Sequence, residues 1–450
     1  MKTLEHIASE LAGYDPQALT ADMVNTFLDQ LVEPVTGTEE VAIFDALGRV
    51  LAADIISPIS VPPHDNSAMD GFALDGAQLT PDAALSLKVV GTALAGKAWA
   101  GTVNPGECVR IMTGAIMPAG LNTVVPQELT TLTGDMVSIP AGVLNTGDNR
   151  RFMGEDLMQG QPALQKGELL TPAALGLVAS LGLKTVPVLR RLKVAYFSTG
   201  DEILSLGEPP REGAVYDSNR YTVFGLLTRL GCQVIDMGVV RDQPQALEAA
   251  FVQAAMQADA VITSGGVSVG EADYTKAMMK KLGDVAFWKI AMRPGRPMAV
   301  GYLSRDKLAS SAYKSSANSY EINSNNIPPN TSGAAVLFGL PGNPVAVMVT
   351  FLAFVRPALL RMMGCSARPT PLLRAQSQEV IRKKPGRTEY QRGWVSTAPD
   401  GTLQVKTTGN QGSGVLSSMV QANGLIVLHH TQGHVAVGEA VDVMMFDGVI

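Results

Sequence analysis

The chain has 450 residues, 46% of them hydrophobic, 17% charged and 5% aromatic, a globular composition too long for one ordinary core and suited to roughly three or four domains. Its formal net charge of −6, with no long lysine or arginine run, excludes the footprint of a nucleic-acid binder and points to small-molecule partners. Cys108, Cys232 and Cys365 lie far apart without paired spacing, which argues against a disulfide framework, a zinc knuckle or a CxxC redox site and reads as reduced core thiols.

At the N-terminus Lys2 is followed by Glu5 and polar residues rather than an apolar signal, so a cytoplasmic protein is expected. Thr20 is placed to cap a helix in which Val24, Phe27, Leu28 and Leu31 form one apolar stripe, and that helix should dock on a core. Residues 1–57 with 155–190 are expected to form a small N-terminal linker domain, its first residues able to pack on the domain that follows. Within it, residues 58–154 read as a β-rich domain: short runs such as 85–90 and 123–125 alternate with glycine, proline and asparagine punctuation.

From Leu192 the pattern becomes an apolar strand (194–197), a polar glycine loop, a helix, a strand (232–240), an acidic loop, a second helix and a third strand (260–263). Such alternation predicts a parallel sheet with helices on both faces, a central doubly wound α/β domain over 191–365. The helices bury Val223, Leu226, Leu227 and Leu230 in the first and Leu247, Phe251, Ala254 and Ala255 in the second. Within this domain residues 303–335 are rich in serine and asparagine and read as a flexible insertion. The apolar run 345–355 is about half the length of a membrane span and is followed by Arg356, so a buried helix is expected there. Residues 366–450 return to β pattern, with a hairpin at Asp400-Gly401, and should form a C-terminal β-barrel-like domain. His429, His430 and His434 match no usual zinc spacing and read as surface histidines.

Ligands of an open parallel sheet bind beyond the carboxyl ends of its strands, where loops converge and helix N-termini point. The first strand delivers Ser198-Thr199-Gly200-Asp201-Glu202, the second Arg241-Asp242, and the third runs from Ser264 through Gly265, Gly266, Ser268 and Gly270 to Asp273. Glycines let backbone N–H groups close on phosphate, and carboxylates tolerate phosphate when a hard cation sits between them. Mg²⁺ is the natural mediator for Glu202, Asp242 and Asp273; the plainer alternative is that the two aspartates cap helices and Glu202 is solvated. Lys289, Arg293 and Arg296, in a proline-braced turn, suit a tetrahedral oxyanion or phosphate, or else form a solvated basic face. Leu340-Pro341-Gly342-Asn343-Pro344 opens the long apolar helix.

Together with Asp65-Asn66-Ser67-Ala68-Met69-Asp70-Gly71, Arg110-Ile111-Met112-Thr113-Gly114-Ala115, Arg150-Arg151 and Gly154-Glu155-Asp156, these stretches resemble the molybdopterin molybdenumtransferase family, which includes bacterial MoeA and the gephyrin E domain. The resemblance runs over nearly the whole chain. It implies a molybdopterin-binding α/β domain and an elongated homodimer whose site is shared between subunits. The matching functional positions are Asp70, Thr113, Asp156, Glu202, Asp242, Asp273, Lys289, Arg293, Pro341 and Pro344, with Asp70 and Thr113 contributed by the partner. The implied substrates are molybdate and adenylylated molybdopterin, with Mg²⁺ as cofactor and AMP as a product. Molybdopterin adenylyltransferase and molybdoenzyme chaperones are the implied protein partners, with no nucleic acid and no membrane. Two other readings stay open: an adenylyltransferase, whose relatives tend to carry a Gly-Gly-Thr-Gly type loop where this chain has Gly265-Gly266-Val267-Ser268, and a pterin-binding scaffold without catalysis.

Overall fold

The computed structural model describes residues 2–267, 274–305, 333–366 and 370–446. They fall into two compact units, one made of Met1–Glu39, Gly48–Val50 and Leu189–Ile450, the other of Glu40–Leu47 and Leu51–Val188.

In the second unit a six-stranded sheet runs in the order Thr123–Pro126, Gly71–Leu74, Glu107–Ile111, Leu85–Ala93, Met136–Ile139, Thr131–Thr133. Alternate residues of its strands feed two separate clusters, one holding Phe72, Leu74, Cys108 and Val125, the other Ala73, Val109, Ile111 and Val124. Side chains on a strand alternate between faces, so apolar residues at successive positions bury both. A smaller core gathers Leu51, Ile55, Leu170, Val178, Val186 and Val188 beside the helix Pro172–Ser180, which Thr171 caps through Ala174 N (3.3 Å).

The first unit is built on a six-stranded sheet. Its strands are β1 (Lys193–Thr199), β2 (Gln233–Val240), β3 (Ala260–Ser264), β4 (Gly283–Lys289), β5 (Pro297–Ser304) and β6 (Ala334–Leu340), in the order β2-β1-β3-β6-β5-β4. Strands β2, β1, β3 and β6 are parallel, as the alternation of strand and helix predicts; β5 runs against β6, and β4 against β5. Two reversals return β4 to the direction of the parallel set. Helices α2 (Pro244–Gln257) and α3 (Tyr274–Leu282) cover the face carrying Ala195 and Phe197. Helix α1 (Ser218–Leu230) starts on the opposite face beside Ser198 and ends at Gly231, whose φ of +87° lets its N–H reach back to Leu227 O and Thr228 O.

The helix expected over 345–355 is longer than its apolar run. It proceeds from Pro344–Thr350 through a π-helical turn, Phe351–Val355, into Arg356–Met362. The wide turn lies just before Arg356-Pro357, where the proline ring would crowd the carbonyl four residues back in a regular helix. Its 19 residues are long and apolar enough to cross a membrane by length and composition, and 78% of its apolar window is buried inside the fold.

The helix Ala21–Leu31, capped by Thr20, docks on this unit as its stripe requires: Phe27 meets Trp288 edge-on with centroids 4.9 Å apart, and Tyr302 OH donates to Leu31 O. Beyond the α/β core, strands Leu373–Ser377, Thr388–Thr397, Leu403–Thr407, Gly424–Leu428 and Ala440–Met445 close into a barrel. The long strand Thr388–Thr397 makes the closure, pairing through Val395 with Val405 and through Gln391 with Ile426. The hairpin at Asp400-Gly401 joins Thr397 to its partner Leu403. Cys108 and Cys232 are buried free thiols that burial pushes up to about 12, whereas Cys365 is only half-buried and is pushed up to about 11.

Candidate active site

Strands β1 and β3 end side by side, Ser198 opposite Ser264, and both run into glycine turns. Gly265 has φ +89° and a Cβ there would lie 2.4 Å from Thr199 O; on Gly266, φ +65°, it would lie 2.5 Å from the Thr275 side chain. Only a residue without a side chain fits between the two strand ends and the start of α3. Gly265 N donates to Leu340 O at the end of β6 (3.2 Å), which draws a third strand into the same edge. The exposed Glu202 folds its carboxylate back over Gly200, 2.5 Å from where a Cβ would stand. Asp242, half-buried at the end of β2, donates its N–H to Asp201 Oδ1 (3.3 Å) and meets Thr275 Oγ1 at 3.5 Å. Thr275 thus joins Asp242 to the glycine cradle.

Because β4 has regained the direction of the parallel strands, Lys289 ends at this edge too. The following loop lies flush on the long helix: a Cβ on Gly295 would be 2.4 Å from Thr350 Oγ1 and 3.4 Å from Ala346 O. Arg293 and Arg296 are exposed and Lys289 half-buried. Arg293 stands opposite Glu389 in a backbone pairing with the barrel. Three residues further on is Arg392, 1% exposed, whose Nε donates to Ser418 Oγ (2.9 Å) and whose Nη2 donates to Asn410 O (3.2 Å) and Gly412 O (3.0 Å). Burial, with the charge of Arg293, pushes its pKa down to about 10. Among the described residues it has no carboxylate partner, an arrangement that an anionic ligand would relieve. Ser413, in the loop that Arg392 holds, accepts Val345 N in its carbonyl (3.1 Å) and Asn343 Nδ2 in its hydroxyl (3.1 Å). The cationic loop, the Pro341-Gly342-Asn343-Pro344 turn and the barrel loop therefore meet.

Beneath the strand ends runs a buried polar chain. Tyr196 OH lies 2.6 Å from Ser264 Oγ and 2.9 Å from Ser198 Oγ, and Ser198 Oγ donates to Asp217 Oδ1 (2.9 Å). Asp217 caps α1 by accepting Arg220 N (3.1 Å), and burial raises its carboxyl above the usual range. Two residues on, Asn219 Nδ2 donates to Gly342 O (2.7 Å). The Ser264 hydroxyl is consumed in this chain, so its backbone rather than its side chain faces the cradle.

In the other unit, Thr113 donates both its N–H and its hydroxyl to Asp70 Oδ1, each at 2.7 Å. Both residues are exposed, and the Thr113 hydroxyl followed by its N–H holds the Asp70 carboxyl below its ordinary range. Ser67 braces the turn before it, donating to Met69 O (2.6 Å) and accepting Met69 N (3.2 Å). The same segment carries Asp65, which accepts Met153 N (2.7 Å) and the Arg150 guanidinium, and Val61, whose carbonyl accepts Asp156 N (3.1 Å). Asp156 is exposed beside this segment.

Three family models match in chain order: the MoeA N-terminal region (domains I and II) over residues 19–182, a probable molybdopterin binding domain over 195–361, and the MoeA C-terminal region (domain IV) over 374–446. The molybdopterin molybdenumtransferase of Haemophilus influenzae is 40% identical over 434 residues, spanning 96% of this chain and all of that one. The chain belongs to the molybdopterin molybdenumtransferase family. The protein of that name from a Nostoc species is 32% identical over 452 residues, 99% of this chain and 97% of its own. The crystal structure of the molybdopterin biosynthesis MoeA protein of Pyrococcus horikoshii OT3 superposes with a TM-score of 0.74 at 25% identity, covering 95% of this chain and 100% of that one.

Of the site residues expected from the sequence, Glu202, Asp242, Gly265, Gly266, Lys289, Arg293, Arg296 and the turn 341–344 gather along one sheet edge; Asp70 and Thr113 form a pair in the other unit, with Asp156 on a neighbouring stretch. Ser268, Gly270 and Asp273, and residues 306–332 of the expected insertion, lie outside the described residues. Among the described residues no three His, Cys, Asp or Glu side chains cluster closely enough to hold a metal alone. Two carboxylates beside a glycine cradle do fit Mg²⁺ shared with substrate oxygens, since this ion takes one or two carboxylates and completes its shell with phosphate and water. Asp217, Asn219, Arg392 and Ser413 escape a reading of the sequence. Their one visible signal is that polar residues, Asp217-Ser218-Asn219 and Gln391-Arg392, stand where a strand or helix must be buried.

Proposed function

We propose that this protein inserts molybdenum, supplied as molybdate, into the dithiolene of adenylylated molybdopterin and releases AMP, completing the molybdenum cofactor in the cytoplasm. The observation that carries the reading is the meeting of a glycine cradle, two carboxylates and a cationic loop at one sheet edge, in a chain 40% identical to a molybdopterin molybdenumtransferase.

The Gly266 N–H and the one after it, next to the Gly265 N–H that Leu340 O already holds, receive the substrate phosphates, and Lys289, Arg293 and Arg296 hold its anionic oxygens. Arg392, buried and already oriented by three hydrogen bonds, adds a fixed positive charge for a tetrahedral oxyanion such as molybdate. Glu202 and Asp242, with Asp273, would hold Mg²⁺, which when bound neutralises charge at the phosphoanhydride. Water adds to the adenylyl phosphorus as its bond to the bridging oxygen breaks, that oxygen leaves with the pterin phosphate, and AMP departs; the two dithiolene thiols then displace one oxo group of molybdate, which leaves with their two protons as water. Asp70, oriented by the Thr113 hydroxyl and N–H, supplies an acceptor that positions the substrate from a second copy of the chain. A homodimer is therefore the working unit, and molybdopterin adenylyltransferase and molybdoenzyme chaperones are the partners before and after it.

The test is incubation of purified protein with adenylylated molybdopterin, molybdate and Mg²⁺. AMP release with formation of active cofactor is the expected result. Consumption of ATP on unadenylylated pterin would replace the reading with an adenylyltransferase, and binding without turnover would replace it with a scaffold.

A further inference from the structure

The turn 341–343 closes over the cradle from the side of β6: a Cβ on Gly342 would lie 4.0 Å from Gly265 Cα. Gly342 and Asn343 are exposed, and a turn of this kind wanders unless it is tied. The tie on its inner side is Asn219 Nδ2, which bonds Gly342 O at 2.7 Å across 123 residues of sequence. Asn219 is 8% exposed, and its buried Oδ1 has no partner among the described residues, nor has Oδ2 of Asp217, which caps the same helix. Leaving a buried acceptor unpaired costs about 1–3 kcal/mol, so a fold that keeps an amide here keeps it for its donor. Asp217 in turn is gripped by Ser198 Oγ at the end of β1, so the chain Ser198, Asp217, Asn219, Gly342 is a brace from one strand end to the opposite lip of the cradle.

We propose that Asn219, in the first turn of the helix that Asp217 caps, is a positioning residue that sets the gap between the Gly342 turn and the glycine cradle, and through it the affinity for the diphosphate of the adenylylated substrate. The inference rests on the function proposed above. Neither residue touches the reacting atoms.

The test compares steady-state AMP release by wild type, Asn219→Ala, the isosteric Asn219→Asp and Val223→Ala. Val223 is fully buried in the same helix, and its truncation destabilises α1 without touching the brace. Both Asn219 variants lose the donor to Gly342 O, and KM for adenylylated molybdopterin should rise about tenfold with kcat within about threefold. Val223→Ala should lower Tm while leaving KM unchanged. If Asn219→Asp folds with KM within about twofold of wild type, or if Val223→Ala raises KM as much as Asn219→Ala, the brace is merely structural and the inference is overturned. A wild type that releases no AMP overturns the functional reading and this inference with it; a wild type that turns over beside unaffected Asn219 variants overturns this inference alone.

Discussion

Gly265→Ala is the most direct probe of how the strand ends are packed. At φ +89° an L-residue costs roughly 1–2 kcal/mol from its own backbone. The new methyl would also stand 2.4 Å from Thr199 O and 3.0 Å from Thr199 Oγ1. The hydroxyl can rotate away, but the carbonyl belongs to the end of β1 and moves only if the Ser198–Ser264 pairing gives way. Overpacking of that kind adds about 1–3 kcal/mol, for a total of roughly 2–5. At about 2–4 °C per kcal/mol for a unit of this size, the calorimetric transition of the α/β unit should fall by on the order of 10 °C. Gly342→Ala is the control: no positive φ is required there and the nearest atom to its Cβ is 4.0 Å away, so its transition should move by no more than about 0.5 kcal/mol. AMP release should fall about a hundredfold or more in Gly265→Ala, because the cradle N–H groups turn with the backbone. A Gly265→Ala protein that melts within about 1 °C of wild type and turns over normally would refute the packing and the cradle together.

Thr113→Val removes the largest cause of the lowered Asp70 pKa, so the carboxyl rises toward its ordinary value. A depressed carboxyl stabilises the fold above its unfolded pKa and loses that contribution as pH falls through the folded one. The acid limb of AMP release should therefore move to higher pH in the variant, and a pH profile with an unmoved limb would show that Thr113 does not set the ionisation of Asp70. Thr350→Val replaces a buried hydroxyl that has no hydrogen-bond partner among the described residues and should raise stability by about 1 kcal/mol in urea melts; a loss of that size would mean the hydroxyl is engaged. Ser304 stands directly opposite Ala334 across β5 and β6, so replacing residues 306–332 by a short turn should leave AMP release within about threefold, and a loss beyond about a hundredfold would make the segment part of the site. Co-expressed Asp70→Asn and Glu202→Gln chains, each inactive alone, should regain activity in mixed dimers if sites are shared between copies; silence from a verified heterodimer would place both residues in one subunit's site.

The local elements could be read from residue order alone. Apolar stripes at helical spacing marked Ala21–Leu31, α1 and α2, and alternating or continuous apolar runs marked the strands, because each pattern reports which face of an element must leave water. Glycines and carboxylates after successive parallel strands marked the edge where Glu202, Asp242, Gly265 and Gly266 gather, since topology sends every such loop to one side. Tertiary structure alone decided the rest. Lys289 reaches that edge only because two antiparallel turns restore the direction of β4, and the barrel closes only because Thr388–Thr397 pairs with two strands at once. Asp217, Asn219 and Arg392 look like ordinary surface polar residues until burial and partners far along the chain give them their roles. The helix from Pro344 continues past the charged Arg356 because its surroundings are interior. A sequence states what each segment must bury or expose, while hydrogen bonds across more than a hundred residues depend on how the packed segments finally meet.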